Sequence, residues 1–407
     1  MDALIYHMNK SINCPLCGQA NLQNLLNLST ANFDQSSLYD EIRICACLGC
    51  GHIFNDLSEA DLEGLAGYYR EEKALSNTNS PEKIGDIPGS NNPETIKRYQ
   101  RIFDFIKPYL TTESTILDLG FSKGGFVNFL AAQGYSSGLS IDVVDRFLGQ
   151  AKDLNLPELP DHSLDIIAID QTMEHLANPL QAFQEFKRLL KPSGVLFIGI
   201  PDAGRYEQDY FFDFYWFLLK EHVQHFDLTH ISLLAARSNF SLVDKVENYT
   251  VMMNTTTMLL PNLNLLFKLE DASVDLEQEI SDKHFALLPK IERYIATNLI
   301  KLTKRQEFFS QLAREEKSLY IWGIGREFFY LYEAAGLKHC QIKGLIDANV
   351  YKQENLQVDG LPIQSNLVLA DSKDSDSLLI TAVAHSDLIK AAVKQKNYPA
   401  SFVDFIR

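Results

Sequence analysis

From about Pro93 to Val246 the chain alternates between two hydrophobic periods. TILDL (Thr115–Leu119), SGLSID (Ser137–Asp142), LDIIAID (Leu164–Asp170) and GVLFIGIP (Gly194–Pro201) are short apolar runs of strand length. Between them GGFVNFLAAQ (Gly124–Gln133) and ANPLQAFQEFKRLLK (Ala177–Lys191) space their apolar residues as one helix face does. Strands alternating with helices predict a parallel, doubly wound sheet, and such sheets take ligands at the carboxyl ends of their strands. After Asn248 the pattern turns largely helical and carries mixed charge until about residue 316. LYIWGIGREF (Leu319–Phe328), GLIDAN (Gly344–Asn349) and LLITAV (Leu378–Val383) then begin a second α/β unit. The expected division is a domain at 1–66, a central α/β domain at 67–250, a helical connector at 251–316 and a C-terminal α/β domain at 317–407.

Length and charge narrow the function. A chain of 407 residues has room for two or three separately cored domains. A net charge of -16 argues against a broad nucleic-acid surface, which needs clustered Lys and Arg. No apolar run approaches the roughly 20 residues that span a bilayer. The N-terminus lacks a charged head followed by an apolar stretch, so a cytoplasmic protein without a membrane partner is expected. Oligomeric state is not readable.

Five of the six cysteines precede residue 51. CPLCG and CLGCG pair Cys14 with Cys17 and Cys47 with Cys50 on two matching knuckles, with glycine letting each turn bend back. Four thiolates predict a closed, structural Zn2+ site that does no chemistry. Cys45 is surplus, His52 could replace one ligand, and Cys340 reads as a core residue.

The run ILDLGFSKGGF (Ile116–Phe126) is a strand entering a glycine-rich turn and a helix. Asp118, Gly120 and Gly124 frame that turn, and Ser122 stands where a second glycine is usual. Asp142 closes the next strand, where an acid can accept both ribose hydroxyls of a nucleotide. By contrast, the GxG of Gly323 and Gly325 lacks a third glycine, because Phe328 stands there, and no dinucleotide is inferred from it.

KEHVQHF (Lys220–Phe226) follows the IPD strand end and can fold over the cleft. Histidine titrates near neutrality, so His222 or His225 could take and return a proton, with Glu221 as the orienting carboxylate. The same run could equally cap and pack a helix start. A metal site is a third reading, but no carboxylate-and-histidine set is evident to complete it. Glu174-His175 poses a similar question, and its first reading is support of the cleft.

LDLGFSKGG, SID, DHSLDIIAIDQTMEHLANPLQAF and LLKPSGVLFIGIPD resemble, in order, the motifs of class I S-adenosylmethionine-dependent methyltransferases. The resemblance implies a Rossmann-like central domain with Gly120 and Gly124 beside the methionine part of the cofactor and Asp142 on its ribose. The family's acid near adenine falls on Gln150, with Asp153 as a nearby substitute. Asp118, Ser122 and Asp170 complete the expected cofactor contacts.

Paired knuckles, that core and the GIGREF unit together resemble three-domain, zinc-containing C-methyltransferases of nucleotide-linked deoxysugars, over almost the whole chain. In that family the acceptor is a keto-sugar on a nucleoside diphosphate. The resemblance implies His222 as the base, within a matching Glu221-His222 motif. It makes Lys123, Arg205, Lys220 and Arg326 candidates to offset diphosphate charge, and Tyr68 and Tyr69 candidates to stack on the acceptor's base. Packing of both tyrosines against the zinc domain is the plainer reading. Methylation of an oxygen on a small metabolite, and ligand binding without turnover, are the alternatives.

Overall fold

The computed structural model describes residues 13–33, 36–70, 91–120, 124–142, 156, 158–207, 212–251, 258–270 and 280–403. Among these, three sheets account for the strands.

The N-terminal sheet is built from β1 (Leu22–Ser29), β2 (Glu41–Cys47) and β3 (Ile53–Asn55), each antiparallel to the next. The central sheet contains β4 (Ile116–Gly120), β5 (Gly138–Asp142), β6 (Leu164–Asp170) and β7 (Leu190–Pro201) as its parallel strands. A two-residue strand, β8 (Gln224–His225), then leaves the central unit and pairs with β3, closing the N-terminal sheet in the order β1-β2-β3-β8. The chain returns to the central sheet with β9 (Phe240–Val251) and β10 (Leu259–Leu269), giving the order β5-β4-β6-β7-β10-β9 with β10 antiparallel to both neighbours.

β10 corrects the expected connector at 251–316. Leu263, Leu265, Leu266 and Phe267 are buried in the central sheet, so the central domain extends past residue 250. Expectation failed here because PNLNLLFK has neither clean alternation nor a helical period. The connector proper is one helix, Leu287–Arg314, entered through a 3-10 turn at Asp282–Ala286.

Strand periodicity divides the central core cleanly. Ile116, Ile166, Ala168, Val195 and Phe197 face helices Pro93–Ile106 and Gly125–Ala132 through Tyr99, Ile102, Phe103, Phe126 and Leu130. Leu117, Leu119, Ile167, Ile169, Leu196 and Ile198 point the other way, onto helices Pro179–Leu189 and Leu228–Arg237. Each such side chain buried in full contributes about 1.5–3 kcal/mol. Cys14, Cys47, Cys50 and Phe54 belong to this second core, so the N-terminal unit is packed against the central one.

The C-terminal sheet comprises β11 (Leu319–Trp322), β12 (Ile342–Ile346), β13 (Gln357–Val358), β14 (Leu361–Gln364), β15 (Ser377–Ile380) and β16 (Ser401–Val403). Its order is β13-β14-β12-β11-β15-β16, parallel except for β13. It resembles a nucleotide-binding sheet whose loop is tied off from within. Asp347 accepts from the backbone N–H of Ile324 and Asn349, each at 2.9 Å, and from Lys352 Nζ at 3.1 Å. Gly323 has φ +108, and a Cβ there would lie 2.5 Å from the Ala382 nitrogen.

Segment 212–226 is where the three units meet. Arg305 of the connector helix grips Asp213 with both Nε and Nη2, and the Tyr330 hydroxyl reaches the same carboxylate at 3.5 Å. Asn298 accepts from the Phe214 N–H at 3.0 Å, and Trp216 stacks on Tyr206 with centroids 4.4 Å apart. Among the described residues, no helix is long and apolar enough to cross a membrane.

Candidate active site and cysteine cluster

The two cysteine knuckles have the same backbone. The Gly18 N–H donates to the Cys14 carbonyl and the Gly51 N–H to the Cys47 carbonyl, each at 2.8 Å, with φ +79 and +82 at the two glycines. A left-handed turn of this kind favours glycine. It brings together Cys14, Cys17, Cys47 and Cys50, all four sulfurs within 4.8 Å of one another. Cys14–Cys50 and Cys17–Cys47 are separated by 3.7 and 3.4 Å, close to the ~3.8 Å edge of a tetrahedron with 2.3 Å zinc–sulfur bonds. The donor set therefore fits zinc. His52 is not part of it, because its Nε2 is 2.9 Å from Gln224 Oε1. Cys45 is buried outside the cluster, and Cys340 donates to the Phe309 carbonyl at 3.5 Å within the core.

At the carboxyl ends of the central strands, Gly120 of β4 stands opposite Asp142 of β5. A Cβ on Gly120 would come within 3.1 Å of Thr172 Oγ1, so any side chain there would crowd the Thr172 hydroxyl. Gly124 takes φ +71 at the start of helix Gly125–Ala132, with no side chain capping it. Asp118 is buried within β4. Asp170 is paired with Arg98 at 3.4 Å and lies over Gly199, where any side chain would strike its Oδ1. Ser122, Lys123, Gln150 and Asp153 lie outside the described residues, and Asp142 is placed by its backbone alone.

A second group forms next to the end of β6. The Val223 N–H donates to the Glu174 carbonyl at 2.8 Å, and the Asn55 N–H to the Val223 carbonyl at 3.0 Å. These backbone bonds hold His222 between the central and N-terminal units. Its ring meets His175 edge-on, with centroids 4.7 Å apart. His175 Nδ1 is 2.9 Å from the Tyr69 hydroxyl, and its Nε2 is 4.0 Å from Glu174 Oε1. Neither oxygen of Glu174, nor Nδ1 of His222, has a hydrogen-bond partner among the described residues, although all three atoms are buried.

Burial dominates the electrostatics here. It pushes the Glu174 carboxyl well above the usual range. It lowers His175 to about 4. His222 is held well below an ordinary histidine by burial first, then by His175, His225 and Arg326. Its imidazole is therefore neutral at neutral pH and has a lone pair to give.

The structure redistributes the expected roles. The carboxylate grouped with His222 is Glu174, whereas Glu221 acts electrostatically on Tyr215 and Arg326. His225 is a correction: its Nε2 is 3.0 Å from Asn55 Oδ1 and its Nδ1 3.4 Å from the Tyr206 hydroxyl. With both nitrogens engaged and no exposure, it clamps β8 to β3 instead of meeting a substrate. Tyr68 and Tyr69 are buried, edge to face at 5.6 Å, so packing wins over base stacking, and Tyr69 also orients His175. Arg326 remains partly exposed, with its guanidinium 5.5 Å from the Tyr215 ring centroid. Arg205 is committed to Asp202 and to the carbonyls of Asn248 and Asn262. Sequence reasoning missed Glu174 as the partner of His222, although two Glu-His dipeptides were visible. One supplies the carboxylate and the other the second imidazole.

Residues 92–245 match a family described as "Methyltransferase domain". A "Probable methyltransferase ltbC" from Aspergillus luteorubrus is 29% identical over 119 residues, covering 23% of this chain and 41% of that protein. An "Uncharacterized 37.1 kDa protein in transposon TN4556" from Streptomyces fradiae is 32% identical over 110 residues, 23% of this chain and 32% of that protein. The chain thus spans well under half the length of these curated relatives. A solved SAM-dependent methyltransferase from Methanosarcina mazei aligns with 41% of this chain and 98% of its own, at 19% identity and a TM-score of 0.32. The match to the methyltransferase family thus lies within the central unit, over the strands and helices whose carboxyl ends carry Gly120 and Asp142.

Proposed function

We propose that this methyltransferase domain serves a C-methyltransferase, which methylates the carbon beside the ketone of a nucleotide-linked deoxysugar in the cytoplasm. One observation supports the reading: His222 presents a neutral imidazole with an unpartnered nitrogen beside the buried carboxyl of Glu174, which follows the carboxyl end of β6. An oxygen or nitrogen nucleophile needs little help, whereas a carbon acid needs a base.

Gly120, Gly124 and Asp142 would hold S-adenosylmethionine, which when bound supplies an electrophilic methyl group on sulfur. The protein's own part is to make and aim the nucleophile. His222 takes the proton from the carbon next to the ketone, leaving an enolate. A base held so far down needs its basicity restored when substrate arrives. Arg326 is one of the groups that depress it, so a diphosphate paired with Arg326 relieves part of that depression. Tyr69 fixes the ring of His175, and His175 fixes the edge against which His222 packs. Zinc in the cysteine cluster has a structural role, holding β2 and β3 and, through β8, the segment that carries His222.

The test follows solvent deuterium entering nucleotide-linked keto-sugars without methyl donor. Exchange beside the ketone is expected, and its loss in His222→Asn assigns the base. Exchange that persists in that variant assigns the base elsewhere. A complete panel of keto-sugars with neither exchange nor methylation removes the acceptor class.

A further inference from the structure

Three ligand-type side chains that the sequence alone did not bring together converge at one point. The candidate atoms of Glu174, His175 and His222 lie within 4.8 Å of one another. Glu174 is 1% exposed, and both its oxygens lack a partner among the described residues. An acid buried in that way must be neutral or must face a cation. The histidines are prepared as ligands are. The Tyr69 hydroxyl lies 2.9 Å from Nδ1 of His175, the Glu221 backbone also bonds to that ring, and its Nε2 faces Glu174 at 4.0 Å. A second hydrogen bond of that kind fixes the tautomer of a metal-bound histidine. His222 adds the second ring from its own Glu-His dipeptide, across a 4.7 Å ring contact.

We propose that Glu174, His175 and His222 form a second cation site, open on one side, that takes a borderline divalent ion such as Zn2+ or Co2+. Two imidazoles and one carboxylate suit those ions better than Mg2+ or Ca2+, which prefer oxygen alone. Three protein ligands leave a fourth position for water or a substrate oxygen, unlike the closed four-cysteine cluster. The ligand separations, 4.0 Å for Glu174–His175 and within 4.8 Å for the rest, have to contract to the ~3.3 Å edge set by 2.0–2.1 Å bonds, a movement within reach of side-chain rotation. The site has a regulatory consequence, which rests on the reading of His222 as base. A lone pair held by a cation cannot accept a proton. Zinc bound here therefore blocks proton abstraction by His222.

The experiment measures zinc per chain in the full-length protein after equilibration in zinc-buffered solution. Wild type is expected to hold about two equivalents, and Glu174→Gln and His222→Asn about one, that of the cysteine cluster. Cobalt substitution provides the control, because the sulfur-to-cobalt absorption of the cysteine site must persist in both variants. One equivalent in wild type, or a second equivalent retained by both variants, overturns the site. Deuterium exchange into the keto-sugar is then followed with and without added zinc. Exchange slowed by zinc supports the block, and exchange unchanged at full second-site occupancy refutes it. Absence of exchange without zinc refutes His222 as base, while the stoichiometry still decides the metal site.

Discussion

Asp213 and Arg305 join segment 212–226 to the connector helix, and breaking that pair gives a sharp energetic prediction. Their side chains are 2% and 6% exposed, and the guanidinium meets the carboxylate through two nitrogens. Asp213→Leu removes the charge, leaving Arg305 buried beside Phe212 without the Asp213 carboxylate. Loss of one partner of a buried pair costs about 3–5 kcal/mol, most of it the penalty of the stranded charge. Arg305→Met strands the carboxylate instead and is expected to cost a similar amount. The double variant Asp213→Leu with Arg305→Met strands no charge and costs only the acceptor of the Tyr330 hydroxyl, so it should be destabilised by about 1–2 kcal/mol, far less than the sum of the single variants. The coupling between the two sites is therefore several kcal/mol, and a double-mutant cycle measures it directly. Because a chain with several domains does not unfold in one step, the proper assay is local. Native-state hydrogen exchange reads the opening free energy at the amides of Trp216, Phe217 and Leu218, which are bonded to Tyr294 Oη and to the Phe214 carbonyl. The reasoning is refuted if either single variant costs under ~1 kcal/mol, or if the two single costs simply add in the double.

Two further outcomes follow from the same structure. Gly323→Ala forces φ +108 on a residue with a side chain and drives its Cβ to 2.5 Å from the Ala382 backbone, so exchange protection in β11 and β15 should fall by about 3 kcal/mol while β1 to β3 stay unchanged. His225 is lowered from 6.5 to about 3 by burial and then by His52, so the unfolded chain binds its proton first and stability falls as pH drops from neutrality toward 3. Between pH 7 and 5 this group alone removes about 2 kcal/mol, and a pH series of native-state hydrogen exchange at the Asn55 amide, corrected for intrinsic rates, in which His225→Gln shows the same slope as wild type would contradict it.

Much of the central fold was legible because its strands are buried on both faces. LDIIAID and GVLFIGIP have few other ways to hide their apolar residues, and Gly120 and Asp142 mark the ends of β4 and β5 by type and spacing. The cysteine cluster was legible for a simpler reason, since two identical short turns announce one site. What could not be read was everything that depends on long-range meeting. Glu174 and His222 lie far apart in the chain, and nothing local says that the Glu of one dipeptide will face the His of the other. His225 looked as reactive as His222 because both are histidines in one short run. Their difference is made by Asn55, Tyr206 and Tyr69, brought in from other elements. β10 was missed because an antiparallel strand between two others needs no clean alternation when both its faces are covered.

The two residues of β8 also bear on how the protein is made. Asn55 and His225, bonded at 3.0 Å, are 170 positions apart in the chain. On the ribosome β1 to β3 emerge early, but their sheet keeps one edge unpaired until the greater part of the central domain has been translated. An open strand edge invites pairing with a neighbouring nascent chain. Slow delivery of residues 224–225 prolongs that risk, so yield of the native protein should depend on elongation speed across the central domain.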